Sequence, residues 1–109
     1  MAGTFQVIIT PSAQQDLEDI IDYLTEKESY DRALAVHDEI VEVIESLENM
    51  PDRHAPARDT YEFVGNYYRR APAGKYKVIF HIEEPVNEVF VVRIMHIKRG
   101  PDFIRKALL

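Results

Sequence analysis

The feature that most constrains this chain is a set of three strand-like runs filling residues 65–96. GNYYRRA (65–71), KYKVIFHI (75–82) and EVFVVRIMH (88–96) are separated only by PAG and EEPVN. Val, Ile, Phe and Tyr dominate the later runs, while Gly, Pro and Asn mark the spacers, the chemistry of strands and tight turns. Connections this short hold successive strands antiparallel, so the segment predicts a three-stranded meander. A sheet of that size is stable only when one face is covered. The upstream half of the chain has the periodicity to cover it.

That half opens with TFQVIIT (4–10), where Phe5, Val7 and Ile9 alternate with Gln6, Ile8 and Thr10 as in a strand. Pro11 suits a first helical position, and Ser12 with Gln15 has capping-box spacing. Leu17, Ile20, Ile21 and Leu24 then recur at helical spacing to about Lys27. After the polar break EKESYD, a second helix is predicted from about Asp31 to Leu47, with Val36, Ile40, Val43, Ile44 and Leu47 as its apolar stripe. Two helices so closely joined form an antiparallel pair. The predicted order is β-α-α-β-β-β, an α+β fold with a helix hairpin packed on one face of a curved, mainly antiparallel sheet. Residues 1–109 are expected to be a single domain. NMPDRHAPARD (49–59) reads as a loop, and DFIRKALL (102–109) as a short helix or a packed arm.

An apolar content of 46% predicts a folded chain. The absence of Cys removes disulfides, thiolate zinc sites and cysteine nucleophiles. No signal peptide and no membrane span are apparent, so a soluble cytoplasmic protein is expected. His37, His54, His81 and His96 have no metal-ligand spacing, and neither a metal nor a cofactor is expected.

The formal net charge of −6 conceals a split, with about −10 over residues 1–50 and +4 over residues 51–109. Turns centred on 72–75 and 83–87 would place Arg70 opposite Lys77, and Lys77 opposite Arg93. The same register puts Tyr76, Val78, Phe80, Ile82, Phe90, Val92 and Ile94 together as a core face. An Arg70–Lys77–Arg93 row is thus expected on the face away from the helices, with Lys98 and Arg99 at its edge. Like charges directly across strands repel, so the row calls for an anionic ligand or partner, or for neutralisation by Glu62, Glu83, Glu84 or Glu88. Tyr67, Tyr68 and Tyr76 lie nearby, and aromatic and basic groups together suit single-stranded nucleic acid. His96, beside Lys98 and Arg99, could move a proton or simply cap a strand end.

VIITPSAQQDLEDIIDYL and YKVIFHIEEPVNEVFVVRIMHIKRG resemble the opening and the final hairpin of the RelE/ParE superfamily of type II toxin–antitoxin toxins, closer to ParE-like, plasmid-stabilization members. The resemblance spans nearly the whole chain and implies a cytoplasmic, growth-inhibiting toxin neutralised by a cognate antitoxin. ParE-like members are reported to inhibit DNA gyrase by binding, whereas RelE-like members cut mRNA on the ribosome. For a RelE-like nuclease, the resemblance makes Arg70, Lys77, Lys98 or Arg99 electrostatic groups and His96 the general acid. Arg70, Lys77, Arg93, Lys98 and Arg99 are the candidates for contacting a target or antitoxin. Tyr68 stands where a RelE-type lysine would lie, and Phe103 and Ile104 where such enzymes often carry a tyrosine. A sequence isoelectric point near 5.1 also suits a ribosome-bound nuclease poorly. These departures favour ParE-like action, with the nuclease as the alternative and a non-toxic binding partner as a third reading.

Overall fold

A computed structural model describes residues 4–55 and 68–99. Its elements are β1 (Gln6–Ile9), α1 (Pro11–Lys27), α2 (Tyr30–Ser46), β2 (Arg69–Ala73), β3 (Tyr76–Glu83) and β4 (Glu88–His96). They form an α+β fold in the expected order, with the sheet arranged β1-β4-β3-β2. The meander is antiparallel, while β1 lies parallel to β4 as the sheet's edge. Residues 65–67, Glu62, and the expected C-terminal helix or arm lie outside the described residues.

Helix α1 begins as its first residues dictate, except that its cap is Thr10 rather than Ser12. Thr10 has extended backbone and its hydroxyl accepts the Ala13 amide at 3.3 Å, with Pro11 in the first turn. Ser29 caps α2 in the same way, accepting the Arg32 amide at 3.0 Å. Leu17 and Leu24 of α1 pack with Val36, Ile40 and Ile44 of α2 against Ala71, Val78, Phe80, Val89, Val91 and Ile94 of the sheet. None of the described helices is long and apolar enough to cross a membrane.

The sheet departs from the expected register in two places. Gly74, at φ +61°, lets the first turn close tightly, so Ala73 faces Tyr76 and Arg70 faces Ile79 rather than Lys77. In the second hairpin Lys77 faces Met95, and Arg93 faces Ile79. The register then shifts, because Phe80 faces Val91 and leaves Val92 as the extra residue of a β-bulge. The bulge exchanges faces below it. Val89 and Val91 enter the core in place of Phe90 and Val92, which are half-buried.

Candidate functional site

Strand β4 is longer than the neighbour on its outer side. β1 pairs with it only from Glu88 to Val91, and the start of α1 caps the next stretch with side chains. The Thr10 amide and hydroxyl both donate to the Val91 carbonyl, at 3.0 and 2.8 Å. Asp16 then takes over: Oδ2 accepts the Ile94 amide at 2.9 Å, and its two oxygens accept Arg93 Nε and Nη2 at 2.7 and 2.8 Å. A carboxylate gripped by a guanidinium fork in this way is among the stronger polar contacts a protein makes. The Asp16 hydrogen bond, outweighing burial, raises the Arg93 pKa further.

Past Ile94 the edge opens into a cleft of about 710 Å³ between α1 and the end of β4. Ile20 and Ile94 give it an apolar side, Tyr23, Tyr76 and His96 line it with rings, and Lys98 and Arg99 stand at its rim. Tyr23 is 59% exposed. Burial, chiefly, raises the Tyr76 pKa, so this phenol stays protonated. The His96 ring meets Tyr76 edge-on at 5.5 Å, and its Nδ1 accepts the Lys98 amide at 3.1 Å. That bond leaves Nε2 as the proton-bearing nitrogen of the neutral ring.

The expected basic row does not form. Arg70 is exposed on β2, the far edge strand. Lys77 is only 5% exposed, and its Nζ donates to the Arg99 carbonyl at 2.8 Å. Arg93 is bound to Asp16, an acidic residue outside the Glu set considered from sequence. Register explains the loss: each hairpin pairs two residues away from the expected alignment, so no cation faces another. Lys98, Arg99 and His96 do come together at the cleft. Tyr68 packs on the sheet, buried and edge-on to His81 at 5.7 Å.

Asp16 is the residue that sequence reasoning missed. Its signal was available: it lies three residues after Ala13 and four before Ile20, an acidic group within an apolar helical stripe. A carboxylate on that stripe needs a cation or several donors.

A sheet edge closed by Asp16 of α1, with a cleft beyond it between α1 and the end of β4, invites comparison with known proteins. The family model described as the ParE toxin of the type II toxin–antitoxin system parDE matches residues 7–101. The chain belongs to the ParE toxin family. A chromosomal ParDE toxin–antitoxin structure from P. aeruginosa shares 20% identity with this ParE-family chain at a TM-score of 0.70, covering 87% of it and 98% of the other chain. The RelBE2 toxin–antitoxin complex from Mycobacterium tuberculosis gives 22% identity and a TM-score of 0.61, with coverage of 85% and 98%. The archaeal RelE–RelB complex from Pyrococcus horikoshii gives 17% and 0.60, with coverage of 89% and 99%. Likeness at these identities shows the fold. No protein in the curated set matches significantly.

Proposed function

We propose that this ParE-family chain is a single-domain cytoplasmic toxin that arrests growth by binding a cellular target such as DNA gyrase, and that a cognate antitoxin neutralises it. The family match supports the toxin role, and the toxin–antitoxin complexes among its structural relatives support an antitoxin partner. The dispersal of the cations supports action by binding. Electrostatic catalysis of phosphate cleavage needs several donors converging on one developing charge. Here Lys77 lies under the Arg99 carbonyl, Arg93 is held by Asp16, and Arg70 stands on the far edge strand. Of the contact candidates Arg70, Lys77, Arg93, Lys98 and Arg99, only Lys98 and Arg99 combine exposure with a place in the cleft.

A gyrase supercoiling assay with purified protein tests this reading. Inhibition at stoichiometric or modest molar excess is expected. Full supercoiling activity at large excess, with the protein folded, would contradict it. One observation favours a ribosome-dependent mRNA endonuclease as the alternative: His96 offers a proton on Nε2 beside Lys98 and Arg99. Primer extension on mRNA from expressing cells would then show new ends that vanish in His96→Ala.

A further inference from the structure

We propose that the outer edge of β1 pairs antiparallel with the same strand of a second copy of this chain, joining two four-stranded sheets into one. The inference goes beyond the toxin reading and does not depend on it. Main-chain direction carries it. The Gln6 amide donates to the Asn87 carbonyl and the Thr10 amide to the Val91 carbonyl, so both face β4. Alternation along the strand turns the amide and carbonyl of Ile8 the same way, and those of Val7 and Ile9 outward. Among the described residues no strand lies opposite them, because β1 ends the sheet. The other edge, β2, is blunted: the Ala55 carbonyl takes its Arg70 amide at 3.0 Å, and Pro72, the next outward position, has no N–H. The His96 amide of β4 also turns outward, two residues beyond the Ile94 amide, but the Arg99 amide takes the His96 carbonyl at 3.0 Å. Edge strands that stay single are usually guarded by a charge, a proline or a bulge. Gln6–Ile9 has no charge and no proline.

The strand is complementary to itself. A two-fold axis through Ile8 sets Val7 opposite Ile9 of the second copy, and each such pair exchanges both of its main-chain bonds. The ladder ends where the groups run out. Phe5, the next outward residue, has its amide on the Glu48 carbonyl at 2.8 Å, and Pro11, which it would face, has no N–H. Side chains follow the same register. An apolar groove of about 390 Å³ runs along β1 between Phe5, Val7, Val41 and Ile44. Ile9 is 38% exposed, and pairing lays it beside Val7 at the groove of the other copy. Charge selects a second copy as the occupant. Glu48 stands at the groove's rim beside Phe5, and so meets the start of α1 of the second copy. The first turn of α1 contains no acidic residue, so the positive end of its dipole lacks the counter-charge that Glu48 supplies.

Sedimentation velocity of the purified chain at rising concentration tests this, read together with amide hydrogen exchange. A reversible dimer is expected. As it forms, the Val7 and Ile9 amides should slow about tenfold, and the Arg70 amide at the opposite edge should not change. Ile9→Lys, which puts a charge on the edge, should weaken association about tenfold. Glu48→Lys, on an exposed side chain, should weaken it about threefold. Val86→Lys, which removes a 62% exposed apolar side chain from the β3–β4 connection, should leave it unchanged. A chain that stays monomeric up to about 1 mM would overturn the inference. So would a dimer whose Val7 and Ile9 amides exchange as in the monomer, or one undiminished in both Ile9→Lys and Glu48→Lys. Slowing of these amides only when the protein encoded by the adjoining reading frame is added would assign the edge to that partner and overturn self-pairing.

Discussion

The two halves of β4 solve the same problem differently. From Glu88 to Val91 the outer edge is satisfied by another strand, which supplies main-chain partners at a regular spacing. From Val92 onward it is satisfied, among the described residues, by the side chains of Thr10 and Asp16 as far as the Ile94 amide. A strand neighbour distributes the closure over several hydrogen bonds, whereas Asp16 concentrates it in one carboxylate that serves a guanidinium and an amide together. The bulge at Val92 lies where one mode gives way to the other. It shifts Val89 and Val91 into the core without displacing Ile94, and bulges do this by bending the strand they interrupt. The consequence, among the described residues, is a sheet closed along the half nearer the β3–β4 turn and open beside the cleft.

Removing the concentrated closure should have the largest effect. Asp16→Ala leaves Arg93 in a partly buried place without its carboxylate, and the Ile94 amide without its acceptor. A loss of about 2–3 kcal/mol of unfolding free energy is expected, measured by denaturant titration. Asp16→Asn, which keeps an acceptor for the amide, should cost about 1–2 kcal/mol. A loss below about 0.5 kcal/mol for Asp16→Ala, as at a surface ion pair, would show that the α1 closure is dispensable.

The bulge itself gives a sharper contrast. Val91 is fully buried and Val92 is not. Val91→Ala should cost about 2 kcal/mol and Val92→Ala less than about 1 kcal/mol. An uninterrupted register would reverse the order.

These contrasts also explain what the sequence made legible. The helix hairpin was readable because Leu17, Leu24, Val36, Ile40 and Ile44 form single apolar stripes on otherwise charged helices. The span of β4 was readable too, but its faces were not, because Val89, Phe90, Val91 and Val92 are all apolar and period-two alternation cannot choose a face for them. One unseen extra residue then misplaced the lower half of the face assignment. The cations followed: Arg70, Lys77 and Arg93 were aligned by turn position alone, and the tight turn at Gly74 shifted the first hairpin by two residues. Lys98, Arg99 and His96 line one cleft, as proximity in sequence was enough to gather them. Asp16 lies 77 residues from Arg93, and no local pattern connects such a pair.

The smallest expected effect is on acid stability in the closed half. His81 stacks on Phe90 at 5.2 Å, and its pKa is held below the ordinary value of 6.5 by burial, with Glu83 pulling it partly back. His54, edge-on to Phe80, is lowered by burial and by Arg53 and Arg69. Below pH 6.5 the unfolded chain therefore binds protons that the native state resists. Stability should fall as the pH drops through that value and level off below the native pKa values. Thermal melts at about pH 7.5 and about pH 5.5 should show the loss, and His81→Phe should reduce it. An identical loss in that variant would remove His81 from the account.

The central claim is that, among the described residues, β4 is closed to the Ile94 amide and open at the His96 amide. Residue-resolved amide exchange by NMR on the free chain measures both at once. Ile94 should exchange slowly, held by Asp16, and His96 at least tenfold faster. Equal protection of the two amides, or a slow His96 beside a fast Ile94, would contradict it.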